Sequence, residues 1–105
     1  MNFKALGSNL GLDEDEFMEL VELFIKTADD DLQKIKAAWE QGDADKVAEA
    51  AHSLKGSSGN LGFLNISEAA RDAEKKGKTN DMNDMANLTL SLGQMLSEIK
   101  TCALQ

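Results

Sequence analysis

The stretch Val47-Ala48-Glu49-Ala50-Ala51-His52-Ser53-Leu54-Lys55-Gly56-Ser57-Ser58-Gly59-Asn60-Leu61-Gly62 decides the fold, because its first half reads as helix and its second half as a break. Serines compete for backbone hydrogen bonds, and each glycine inside a helix costs about 1 kcal/mol relative to alanine. Local propensity alone therefore makes Gly56, Ser57, Ser58 and Gly59 a loop. The apolar spacing says otherwise: Val47, Leu54 and Leu61 recur seven apart, so one stripe continues through the glycines. We read a single helix, capped by Asp43, that runs to about Leu61 and stops at Gly62. Rotation of about 100° per residue then sets Lys55, Gly56, Gly59, Ala48 and Glu49 within about 60° of His52. Val47, Ala50, Leu54, Ser57 and Leu61 fall on the opposite side. His52, the only histidine in the chain, thus faces away from the core. A satisfied core histidine is disfavoured; a plain surface histidine and an exposed nucleophile both remain.

The remaining helices follow outward from this one. Phe3, Leu6, Leu10 and Leu12, set between glycines, suggest a short N-terminal helix lying on the core. Asp13 with Glu16 reads as a capping box that opens a long helix ending near Gly42. Its stripe is Phe17, Leu20, Val21, Phe24, Ala28, Leu32, Ile35 and Trp39. A helix from about Asn65, with Glu68 completing a second capping box, is expected to end near Gly77 behind Lys75 and Lys76. A last helix from Asn80 or Asp81 carries Met85, Leu88, Leu92, Met95, Ile99 and Cys102. The expected fold is all-α: an antiparallel up-down four-helix bundle with a short additional N-terminal helix. Phe63, Leu64, Trp39, Cys102 and the five methionines are expected in its core, with docking as the lesser role for Phe63 and Leu64. Lys75, Lys76 and Lys78 complement a helix C-terminus, or dock an acidic partner.

Bulk properties set limits on function. The 105 residues suit one domain, 1–105, with hydrophobic residues at 42%, charged residues at 29% and no proline. A net charge of −8 argues against nucleic acid or an anionic membrane as partner. No apolar run approaches the ~18 residues of a membrane span, and the N-terminus lacks a signal-peptide core. The lone Cys102 leaves no internal disulfide and suits a reducing cytoplasm. One histidine and one cysteine make a zinc site improbable, and neither a Walker loop nor a kinase nucleotide signature is present.

The run from His52 to Gly62 closely resembles the signature of histidine-containing phosphotransfer (HPt) domains of bacterial multistep phosphorelays. Its elements are the histidine, then Lys55-Gly56, then Gly59 with Leu61-Gly62. Ala73-Glu74 and Gly77 look like the end of that family's following helix, where Leu-Glu is commoner than Ala-Glu. The resemblance implies that His52 takes a phosphoryl group from a receiver-domain aspartate and passes it to another, with a hybrid sensor histidine kinase upstream. Imidazoles as a class titrate near pH 6.5, so a neutral nucleophile is accessible at cytoplasmic pH. The loose transition state of phosphoryl transfer asks for alignment and charge stabilisation. Lys55, on the same face, is expected to offset charge on the transferring oxygens, against the bland reading of a solvated lysine. Gly56 and Gly59 would clear space for the partner. Glu49 could orient the imidazole but is more simply a solvated acid. No cofactor or metal is expected on this chain, Mg²⁺ being held by the receiver's carboxylates. The resemblance further implies a cytoplasmic monomer without kinase activity of its own. Beginning with Met and lacking a C-terminal linker, it reads as free-standing. Two alternatives stay open: a helical scaffold that no longer transfers phosphate, and the phosphoacceptor module of a chemotaxis-type kinase.

Overall fold

The computed structural model describes residues 1–104. Five helices follow one another: α1 (Phe3–Asn9), α2 (Glu14–Glu40), α3 (Ala44–Asn60), α4 (Leu64–Lys78) and α5 (Met85–Ala103). Helices α2 to α5 form the bundle, each packing on its neighbours in a ring that α5 closes against α2, while α1 lies on α2. At 27 residues α2 sets the long dimension of a molecule measuring 42 × 22 × 17 Å.

Local chemistry explains most boundaries. Glu16 N–H donates to Asp13 Oδ1 at 2.8 Å while Asp13 N–H donates to Glu16 Oε1 at 3.1 Å, so the expected capping box opens α2. Lys46 N–H donates to Asp43 Oδ1 at 3.1 Å at the start of α3. That helix does run through Gly56 to Gly59 and ends at Asn60. Gly62, at φ +85°, turns the chain left-handed, letting Phe63 N–H reach back to Ser58 O at 2.9 Å. Phe17, Val21, Ile35, Val47 and Met85 are fully buried, each contributing on the order of 1.5–3 kcal/mol of apolar burial. At the α1 end, Phe63 packs on Phe24 with ring centroids 5.1 Å apart, and Phe3 and Phe17 complete an aromatic cluster.

Several expectations are corrected. The second capping box does not form: Phe63 occupies the N-cap of α4 without a side-chain hydrogen bond. Burial of its ring fixes where α4 begins, overriding the polar signal of Asn65 and Glu68. Helix α4 does end near Gly77, at Lys78, and Asn80, at φ +54°, turns the chain away beyond the Thr79 cap. The last helix starts at Met85 rather than Asn80 or Asp81. Asp81 instead accepts from Asn83 N–H at 3.1 Å in a turn, and Asp84 stands at φ +64°. Leu20, Leu64 and Met1 are exposed rather than core, whereas Phe63 is buried and Trp39 and Cys102 are half-buried against the core.

Helices α3 and α4 approach each other closely because small residues line their contact. A Cβ placed on Gly77 would lie 2.7 Å from both Ala44 O and Ala48 N. Ala70 and Ala73 are fully buried in the same stripe. This close approach brings the middle of α4 against the outward edge of α3, where His52 lies.

Candidate functional site

His52 sits on the outer face of α3 with its side chain 69% exposed. Its Nδ1 lies 2.6 Å from Oε2 of Glu74, which α4 presents across the α3–α4 contact. The second oxygen of that carboxylate, Oε1, accepts from Lys55 Nζ at 2.6 Å. Lys78, one turn beyond Glu74 on α4, places its Nζ 3.6 Å from Oε2. One carboxylate therefore gathers the imidazole and two ammonium groups.

Glu74 is nearly buried, and burial by itself would favour its neutral acid. The Lys55 hydrogen bond reverses this, joined by the His52 hydrogen bond and the charges of Lys55 and Lys78, and the carboxyl pKa falls to about 2. An ionised carboxylate only accepts, so His52 must carry its proton on Nδ1 to make the 2.6 Å contact. Nε2 is then left as the ring nitrogen with the free lone pair, on a side chain open to solvent. Such an arrangement suits a nucleophile that attacks a group delivered from outside.

The four residues singled out from the sequence share this surface but differ in their surroundings. Lys55 is half-buried and engaged with Glu74. Gly56 is open: a Cβ there would meet nothing within 4 Å. Gly59 is not equivalent, since a Cβ there would sit 3.2 Å from Ser67 Oγ on α4. Ser67 uses that room to donate to the Lys55 carbonyl at 3.1 Å. Its missing side chain thus serves the α3–α4 contact as well as the outer face. Glu49 is exposed, and Glu74 holds the imidazole in its place. On the opposite flank, Ser53 Oγ donates to Oδ2 of the buried Asp31 at 2.8 Å, tying α3 to α2 beside His52.

Glu74 is the residue of this cluster that sequence reasoning left without a role. A signal for it exists: it continues the spacing of Ile66, Ala69, Ala70, Ala73 and Gly77, the stripe that α4 buries. A carboxylate on such a stripe needs a cationic partner. No cluster of three or more His, Cys, Asp or Glu side chains placed to hold a metal ion occurs among the described residues. Nor is a helix among them long and apolar enough to cross a membrane. The apolar cavity of about 380 Å³ under Met1, Leu6, Phe63 and Met95 includes none of the His52 group.

Comparison with known proteins bears on the family and the fold. A family model described as Hpt domain matches residues 19–102. The crystal structure of histidine-containing phosphotransfer protein B (HptB) from Pseudomonas aeruginosa PAO1 is similar in fold. Its TM-score is 0.87, at 23% sequence identity, covering 100% of this chain and 91% of that one. No curated protein matches in sequence.

Proposed function

The chain belongs to the Hpt domain family, whose work is histidine phosphotransfer in phosphorelay signalling, and from that premise we propose that His52 is its phosphoacceptor. The observation that carries this reading is the pairing of an exposed imidazole with a buried, ionised carboxylate through Nδ1. In the proposed step the Nε2 lone pair forms a bond to phosphorus as the donor's P–O bond breaks. The bonding electrons leave with the donor aspartate's carboxylate. The Nδ1 proton stays in the Glu74 hydrogen bond, and the charge of Glu74 offsets the cationic ring. Reversal toward a second aspartate completes the relay. Lys55 keeps Glu74 ionised, and its remaining N–H donors face the transferring oxygens. Gly56, with Gly59 at the margin, leaves room for the partner's active-site loops.

The partners in this reading are receiver domains and a hybrid sensor histidine kinase, met in the cytoplasm by a monomer. The chain is a phosphotransfer intermediate rather than a kinase; neither metal nor cofactor is assigned to it, and Mg²⁺ belongs to the receiver. The test is to offer two labelled sources: a receiver domain phosphorylated on aspartate, and an ATP-dependent histidine kinase domain. Acid-labile, base-stable label on His52 from the receiver supports the relay. Label from the kinase domain alone points to a chemotaxis-type module, and label from neither points to a scaffold.

A further inference from the structure

Two cations share the Glu74 carboxylate, and they are held very differently. Lys55 is close, 2.6 Å from Oε1, and its side chain is only 32% exposed. Lys78 stands 3.6 Å from Oε2 with its side chain 67% exposed. Its contact is too long for a firm hydrogen bond and lies in high dielectric, where such a pair contributes little. Yet it is anchored beside the same oxygen that holds His52 Nδ1. A lysine side chain has four rotatable carbons and a compact ammonium, so its end reorients without disturbing the helix.

We propose that Lys78 is the mobile cation of the phosphoryl site, leaving Glu74 to contact the phosphoryl oxygens once the group reaches His52 Nε2. This rests on the reading of His52 as phosphoacceptor. The chemistry favours an exchange. A phosphoryl group brings close to two negative charges, more than the single charge of a carboxylate already satisfied by Lys55 and His52. Lys55 cannot turn fully away without leaving a nearly buried carboxylate short of its principal donor, which is costly. Lys78 carries no such obligation. Lys75, also on this side of α4, lines the same cleft of about 670 Å³ but makes no ion pair with Glu74. Phosphoryl charge is thereby met by one fixed and one movable lysine.

The experiment uses phosphoramidate as donor, so that a partner protein's own residues do not enter. Ammonia leaves as the new N–P bond forms. Wild type, Lys78→Ala, Lys78→Arg, Lys75→Ala and His52→Gln are compared for the rate of labelling and for the lifetime of the phosphohistidine. Lys78→Ala is expected to label about fivefold more slowly, the size of one exposed charge contact, with Lys78→Arg close to wild type. Its ¹⁵N spectrum is expected to keep the proton on Nδ1 of unphosphorylated His52, since Lys55 still holds Glu74. Equal labelling rates for wild type and Lys78→Ala, or an equal loss in Lys75→Ala, would overturn the role of Lys78. Labelling that persists in His52→Gln would instead overturn the assignment of His52 itself.

Discussion

At the scale of single residues, the proposed function rests on an imidazole whose two nitrogens are made unequal by their surroundings. Glu74 takes Nδ1–H at 2.6 Å and leaves Nε2 to react. Replacing Glu74 by Gln keeps the shape but supplies a neutral acceptor with less hold on the tautomer. Its stability relative to wild type has a definite pH dependence. Because the folded pKa of Glu74 lies below the ordinary 4.5, at about 2, its stabilisation is present above pH 4.5 and is lost as pH falls toward 2. Thermal melts should show wild type ahead of Glu74→Gln by on the order of 1–3 kcal/mol near neutrality, with the gap closing in that acid window. A gap independent of pH would contradict the ionised pairing. The two glycines are predicted to part company as well. Gly56→Glu points into open space and should leave melting nearly unchanged while blocking phosphotransfer from a receiver. Gly59→Glu should also lower the melting temperature, because it displaces Ser67. Equal melting of both variants would show that the Ser67 contact is unimportant. His52, Lys55 and the glycines were legible in the sequence as one helical face. For Glu74 only its place on the buried stripe of α4 was legible; its partners lie 22 and 19 residues away on another helix, and no spacing within α4 brings them together.

At the scale of elements, the pair α3–α4 is the working unit, and its closeness is built from residues without bulk. Gly77 allows Ala44 O and Ala48 N to approach, and the Gly59–Ser67 contact does the same near the other end. Glu74 is held between them. Gly77→Ala should force α4 outward, costing about 1–3 kcal/mol of stability as an overpacked contact does. It should also lengthen the Glu74–His52 hydrogen bond, read as a shift of the imidazole ¹⁵N resonances toward a mixed tautomer. An unperturbed tautomer with reduced stability would separate packing from positioning. The helices themselves were readable from periodicity, including the passage of α3 through its glycines, because Val47, Leu54 and Leu61 are all buried. Their starts and stops were less so wherever tertiary contacts outweighed local signals. Phe63 takes the N-cap of α4 because the aromatic cluster needs its ring. The Asn80–Asp84 turn delays α5 although acidic residues there look like caps.

At the scale of the whole molecule, the bundle mounts on its outer face the side chain proposed to accept the phosphoryl group. The His52 side chain is 69% exposed, so its ring is open to a second protein. Net charge of −8 is distributed unevenly: Glu14, Asp15, Glu16, Glu19 and Glu22 crowd the first half of α2, whereas in the cleft between α3 and α4 Lys55, Arg71, Lys75 and Lys78 are mixed with Glu68, Asp72 and Glu74. Fold class was legible from the four stripes alone, because each amphipathic helix must bury one face and a ring of four does so. The decisive measurement is a two-step relay. The chain is labelled by a phosphorylated receiver domain, separated from it, and presented with a second, unphosphorylated receiver. The account predicts acid-labile label on His52 after the first step, its transfer to the second receiver's aspartate after the second, and no label at either step with His52→Gln. Label retained by His52→Gln, or label on His52 that no receiver either supplies or removes, would contradict it.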